Sequence, residues 1–241
     1  FYIFSKRVML STNPIHTIKP EFIHSMPLVS KHVSQGESPA IFTDIYQEDV
    51  NIATWKRDLS SETQDSVKKF LALNPKFQSE MIVTPQDVFS RVSESFDGIS
   101  DVSNLTELKR DIAELTDMFC CLFEIEQVGL RLQSLDSVMC PRFHVDRVPC
   151  RLVTTYQGVA TEWLPHEVIN HTKLGRGSNG LPDSISGLYK NHNDIQKLNC
   201  GDVALLKGAL WQENGDLGLV HRSPELSSGE NRLLLTLDFV Q

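Results

Sequence analysis

Residues 138–163 read VMCPRFHVDRVPCRLVTTYQGVATEW, and the fold turns on this stretch. Valine, threonine, phenylalanine and tyrosine come in short runs, which is the composition of β-strands. The text before it has a different period. From Leu105 to Leu132, the residues Leu108, Ile112, Leu115, Phe119, Leu122, Ile125 and Val128 recur at steps of three and four. That spacing predicts one long amphipathic helix, with Asn104 and Glu107 as its capping pair. The switch falls just after Ser134. Helices first and strands afterwards predict an α+β protein whose second half is a β-sandwich or barrel.

The same reading extends in both directions. Downstream, Gly201-Asp202 opens the apolar run Val203–Leu206, and Arg232–Val240 is a nearly continuous buried strand. Between them, residues 165–197 carry Gly175, Gly177, Gly180, Pro182 and Gly187 and read as loop, with 175–180 a mobile, glycine-rich lid. Upstream, Val50–Ala53 reads as a short strand. Ser61-Glu62-Thr63-Gln64 has capping-box spacing ahead of Val67, Phe70 and Leu71, and Asn74-Pro75 ends that helix. A second helix is expected over Gln86–Ser95, after Thr84-Pro85. Prolines 14, 20, 27 and 39 punctuate the start. The chain thus divides into an extended arm (1–48), a helical region packed on the core (49–135) and a β-domain (136–241), together one compact unit.

Composition limits the partners. The 241 residues carry a net charge of -8, with no basic run. Nucleic acid is therefore not expected, since phosphate recognition needs clustered lysine and arginine. No run approaches the ~20 apolar residues of a membrane span. The five cysteines are odd in number, and Cys120-Cys121 lies inside the helical pattern. Buried thiols in a reducing cytoplasm are the expectation. The long helix is a candidate homodimer seam, although apolar helical faces more often pack on their own domain.

The chemistry-bearing residues lie in the β half. His144 and Asp146 are two residues apart, so on a strand both project from one face. Imidazole nitrogen with carboxylate oxygen suits Fe(II), Mn(II) or Zn(II). The third ligand expected is His221, which follows the apolar Gly218-Leu219-Val220 and precedes the turn Arg222-Ser223-Pro224. Arg232 follows eleven residues later, at the start of the last strand. No Gly-x-x-x-x-Gly-Lys-Ser/Thr loop and no Gly-x-Ser-x-Gly elbow is present.

His-x-Asp, a distant histidine and then a basic residue resembles the Fe(II)/2-oxoglutarate-dependent dioxygenases. The resemblance covers roughly residues 138–240. It implies helices packed on a double-stranded β-helix (jelly-roll, cupin-like), with His144, Asp146 and His221 holding iron and Arg232 gripping the distal carboxylate of 2-oxoglutarate. Gly201-Asp202-Val203 to Gly208 also resembles the strand and turn ahead of that family's second histidine. From the residues themselves, Arg151 is either an alternative anchor on the strand beside His-x-Asp or a partner in a surface salt bridge. Tyr156 is expected either to place a hydroxyl in the pocket or to be an aromatic core residue with its OH at the surface. The segments Cys140–Asp146 and Arg151–Leu164 also resemble the uncharacterised DUF1826 family. That resemblance implies a bacterial cytosolic protein associated with zinc homeostasis.

A rival reading uses the same segment. Cys140 and Cys150 flank His144, and His166, His171 and His192 follow, so a Cys/His set could build a tetrahedral zinc site in a non-catalytic metal-binding protein. Small buried cysteines are the commoner outcome. The substrate of the oxygenase reading, a small molecule or a protein side chain, is not legible in the sequence.

Overall fold

A computed structural model describes residues 31–99, 105–212, 214 and 217–240. Most of the arm, together with Asn104, lies outside the described residues. From its described end the chain forms β1 (His32–Gly36), a 3₁₀ segment (Pro39–Tyr46) and β2 (Val50–Trp55). Helix α1 (Ser61–Leu73) starts where the sequence predicted, but its cap is Ser60, whose hydroxyl accepts from the Thr63 amide at 3.1 Å. Strand β3 (Gln78–Val83) and helix α2 (Val88–Glu94) follow.

Helix α3 (Thr106–Phe123) buries Leu108, Ile112, Leu115 and Phe119 on one face. It ends a full two turns before the predicted Leu132. Glu124 takes a left-handed conformation, with φ 52°, and the Ile125 amide closes back on Cys120 O. That is the geometry of a helix stop. Val128, expected in the helix, instead opens β4 (Val128–Leu135), where Val128, Leu130 and Leu132 alternate into the core.

The remaining strands are β5 (Cys150–Gln157), β6 (Glu162–Trp163), β7 (Gln196–Lys197), β8 (Val203–Lys207), β9 (His221–Arg222) and β10 (Arg232–Phe239). They form a seven-stranded sheet, ordered β1-β2-β8-β5-β10-β4-β3, and a three-stranded sheet, β7-β6-β9. Among the described residues, only β1 and β2 pair in parallel. From β5 to β10 the chain passes between the two sheets, so strands adjacent in space are distant in sequence. The result is mixed α/β and resembles a jelly roll. The first half of the chain supplies β1–β4 to the large sheet as well as the helices that cover it.

Side-chain alternation explains the layers. In β10, Leu233, Leu235 and Leu237 join Leu108, Ile112 and Phe119 in the core between helices and large sheet. The opposite face of that sheet presents Ile52, Val153, Ala204 and Leu206, which pack on Trp163, Leu198 and Leu219 of the small-sheet layer. Arg232, Leu234, Thr236 and Asp238 have this second parity. Residues 165–197 are not an open loop. They form short 3₁₀ turns at His166–Val168, His171–Lys173 and Gly175–Ser178, and a single helical turn α4 (Asp183–Ser186). No helix among the described residues is long and apolar enough to cross a membrane.

Candidate metal centre

His144 and His221 form an isolated antiparallel bridge, exchanging both backbone N–H···O bonds at 3.0 Å. Residues paired this way project to the same face. Their imidazole centroids are 4.7 Å apart. Asp146, two residues beyond His144, closes the group. Its carboxylate lies 3.4 Å from His144 Nε2 and 3.2 Å from His221 Nε2. One donor atom from each residue falls within 4.8 Å of the others.

The second nitrogen of each ring is committed. His144 Nδ1 faces Arg142 O at 2.9 Å, and His221 Nδ1 faces Leu219 O at 3.1 Å. A carbonyl only accepts, so each Nδ1 carries a hydrogen and each Nε2 is the nitrogen turned toward Asp146, donating to it while protonated and free to ligate once that proton is lost. Two imidazole nitrogens and one carboxylate, convergent and oriented by backbone carbonyls, fit a divalent transition metal.

Two glycines let the ligand segment approach. A Cβ on Gly208 would lie 2.0 Å from Val148 O, and one on Gly218 would lie 2.5 Å from Val145 Cγ1. With both positions bare, the Ala209 amide bonds Asp146 O at 2.8 Å and Gly208 N bonds Pro149 O at 2.9 Å. The loop carrying Asp146 is thereby pinned to the end of β8.

Behind Asp146 stands a relay of charges that the sequence reading missed. Arg151 Nη1 donates to Asp146 at 2.6 Å, while its Nε and Nη2 grip Asp238 at 2.7 and 2.9 Å. Arg131 donates to the same Asp238 carboxylate. Burial opposes ionisation of Asp146, but the hydrogen bonds from the two histidines and the charge of Arg151 prevail, holding it well below the usual carboxylate range. His144 is pushed up, chiefly by its hydrogen bond to Asp146 and partly against its own burial. The available signal for Asp238 was an acid inside an otherwise leucine-rich last strand, at the parity of Arg232. Asp238 stands one contact further out than the direct partners of a ligand, whose loss usually costs about 10–100-fold, so Asp238→Asn is expected to weaken metal affinity by up to about 10-fold. Equilibrium dialysis of the metal against wild type and variant measures it.

The two arginines separate clearly. Arg151 is occupied by two carboxylates and is no free anchor. Arg232 is 1% exposed, and its guanidinium meets Thr155 Oγ1 at 3.0 Å and Thr161 Oγ1 at 2.8 Å. Among the described residues no carboxylate pairs with it, and burial pulls its pKa down to about 10. Thr161 precedes the Glu162–Trp163 strand, and Trp163 pairs with His221. Two strand residues, roughly 7 Å, therefore separate the level of the arginine from that of the histidine.

Tyr156 is a correction. It has the parity of Leu152, facing the helices and away from Arg151, and its hydroxyl donates to Asp111 at 2.6 Å. Asp111 in turn pairs with Arg57, whose Nε donates to Gly201 O at 2.9 Å. Burial and the Asp111 carboxylate push the phenol well above its ordinary value, so it stays a neutral donor. Tyr156→Phe is expected to cost about 1–2 kcal/mol of stability and leave metal binding unchanged. Denaturant unfolding and a metal titration of the variant test both halves. The cysteines are also absent from the cluster, whose members are one aspartate and two histidines. Cys150 is buried in the helix-side core and Cys140 is exposed. The tetrahedral Cys/His set does not assemble among the described residues.

A family model described as a protein of unknown function, DUF1826, matches residues 36–238. The chain belongs to the DUF1826 family. No curated protein matches it. Among solved structures, this DUF1826 chain is similar to the dioxygenase for auxin oxidation 1 from Arabidopsis thaliana, in a 2-oxoglutarate complex. The TM-score is 0.47 at 8% identity, over 87% of this chain and 92% of that one. A putative 2OG-Fe(II) oxygenase family protein from Caulobacter crescentus gives 0.42 at 13% identity, over 87% and 86%. A Pseudomonas putida prolyl-4-hydroxylase gives 0.40 at 10% identity, over 84% and 98%.

Proposed function

We propose that this DUF1826 protein is a mononuclear non-haem Fe(II)/2-oxoglutarate-dependent oxygenase that hydroxylates an organic substrate, built on a double-stranded β-helix. The observation that carries the reading is the pairing of two features on one inner face. One is the His144–Asp146–His221 donor set. The other is Arg232, a buried cation without a carboxylate partner among the described residues, set one short strand segment away. Burying a charge without an opposite charge costs several kcal/mol, so its retention there points to a ligand that supplies the missing anion.

A five-carbon dicarboxylate suits that gap. Its distal carboxylate would meet the planar fork of Arg232, an arrangement that arginine makes bidentately, with Thr155 and Thr161 holding the guanidinium in place. Its other end would then lie toward the histidines. His144, Asp146 and His221 would hold the metal, leaving its remaining positions open for co-substrate and dioxygen. When bound, iron supplies the redox chemistry that couples oxidative decarboxylation of 2-oxoglutarate to substrate hydroxylation. The chain's own residues orient: Arg151 keeps the Asp146 carboxylate ionised and fixed, and the two backbone carbonyls keep each Nε2 turned inward. Trp163, buried beside His221, excludes water from the inner layer.

The test is anaerobic addition of Fe(II) and then 2-oxoglutarate to metal-free protein. The expected result is one iron retained through His144, Asp146 and His221 and a visible charge-transfer band that appears only with 2-oxoglutarate. Tight zinc with no response to 2-oxoglutarate would replace this reading with a cupin-like metal-binding protein using the same three residues and no turnover.

A further inference from the structure

His166 and His171 flank the first turns of the β6–β7 connection, outside the centre described above. His166 is 8% exposed, and its Nδ1 is buried without a partner among the described residues; so is His171 Nε2. The two rings have centroids 4.7 Å apart, tilted by 45°. The His144–His221 pair has the same separation, 4.7 Å, and a tilt of 47°. A metal–nitrogen bond of about 2.0–2.1 Å puts a ring centroid about 3.2 Å from the ion, so two imidazoles at tetrahedral-to-octahedral angles have centroids about 4.5–5.2 Å apart. The observed spacing falls inside that range.

We propose that His166 and His171 form a second divalent transition-metal site, with solvent or a bound ligand completing the coordination. The usual alternative for paired histidines is a ring-to-ring hydrogen bond, and neither buried nitrogen makes one. The backbone holds the pair ready. Asn170, between them, bonds Leu188 O through its amide at 2.7 Å, and its side chain accepts from Thr172 N at 3.2 Å and Thr172 Oγ1 at 2.7 Å. Burial, the largest influence on each ring, favours the neutral form that ligates. Lys31 and Glu167 act on His166 with opposite signs, so neither sets the local charge alone. Nitrogen-only protein donors select borderline metals such as Zn(II), Co(II), Ni(II) or Cu(II) over calcium or magnesium. The site is independent of the oxygenase reading, because it shares no residue with the first centre.

The experiment is equilibrium dialysis of untagged, chelator-stripped, full-length protein against Co(II) alone, with metal counted per chain. Two ions are expected for wild type, one for His171→Gln, and one for the His144→Ala/Asp146→Ala double variant. His171 is the lead substitution because it is less buried than His166. Circular dichroism verifies the fold, and the Co(II) absorption of the double variant reports the second site with no change made near it. One ion in wild type that survives His171→Gln, or two ions in both, overturns the proposal. One ion that survives the double variant but is lost in His171→Gln supports it and sinks the first centre instead.

Discussion

His144→Ala is expected to abolish metal binding at the first centre while the fold survives. Removing one of three protein donors costs more than the 10–100-fold typical of an outer partner, so affinity should fall by at least about 10³. The stability cost is small for a physical reason. The His144 side chain is about one-third exposed and belongs to none of the three apolar clusters, and its bridge to His221 runs through backbone atoms that alanine retains. A change within about 1 kcal/mol is expected. Asp146→Ala is the less clean experiment, because it leaves one arm of the half-buried Arg151 without its partner. Metal content by mass spectrometry, read beside thermal unfolding, checks both statements. Unchanged metal in His144→Ala would falsify the assignment of this centre.

The contrast between what could and could not be read from the sequence follows from how far each signal reaches. The set His144, Asp146 and His221 was legible from the two-residue spacing of His-x-Asp and from the resemblance to the dioxygenase pattern, and the described geometry brings the three together. The end of α3 was not. Ile125 and Val128 continue the three-and-four spacing straight across Glu124, and a left-handed non-glycine cap has no strong sequence mark. Strands β6, β7 and β9 have two residues each, too short for any period to register. Tyr156 went to the wrong face for want of a parity check: Arg151, Val153 and Thr155 share one side of β5, and Tyr156 falls on the other. Asp238 could be noticed but not placed, since its partners Arg131 and Arg151 come from two other strands whose register only the fold defines.

Arg232→Met is expected to separate stability from co-substrate binding. In the unliganded protein the guanidinium is taken out of water for two threonine hydroxyls, a poor exchange for a full charge. Methionine fills similar volume without that penalty, which is several kcal/mol for a buried ion, and forfeits hydrogen bonds worth about 1.5–3 kcal/mol each. These opposing terms nearly cancel, so the unfolding midpoint of the variant should match or exceed that of wild type. Binding should behave differently. Saturation of wild type at one hundred times the dissociation constant adds about 2.7 kcal/mol of stability, and the variant should gain none of it. The measurement is thermal unfolding of metal-loaded protein with and without 2-oxoglutarate, kept anaerobic. Arg232→Lys keeps the charge but loses the planar fork, so its ligand-induced shift should be intermediate. If Arg232→Met instead unfolds several degrees early and still responds to 2-oxoglutarate, the arginine is a structural clamp on Thr155 and Thr161, and the anion belongs elsewhere.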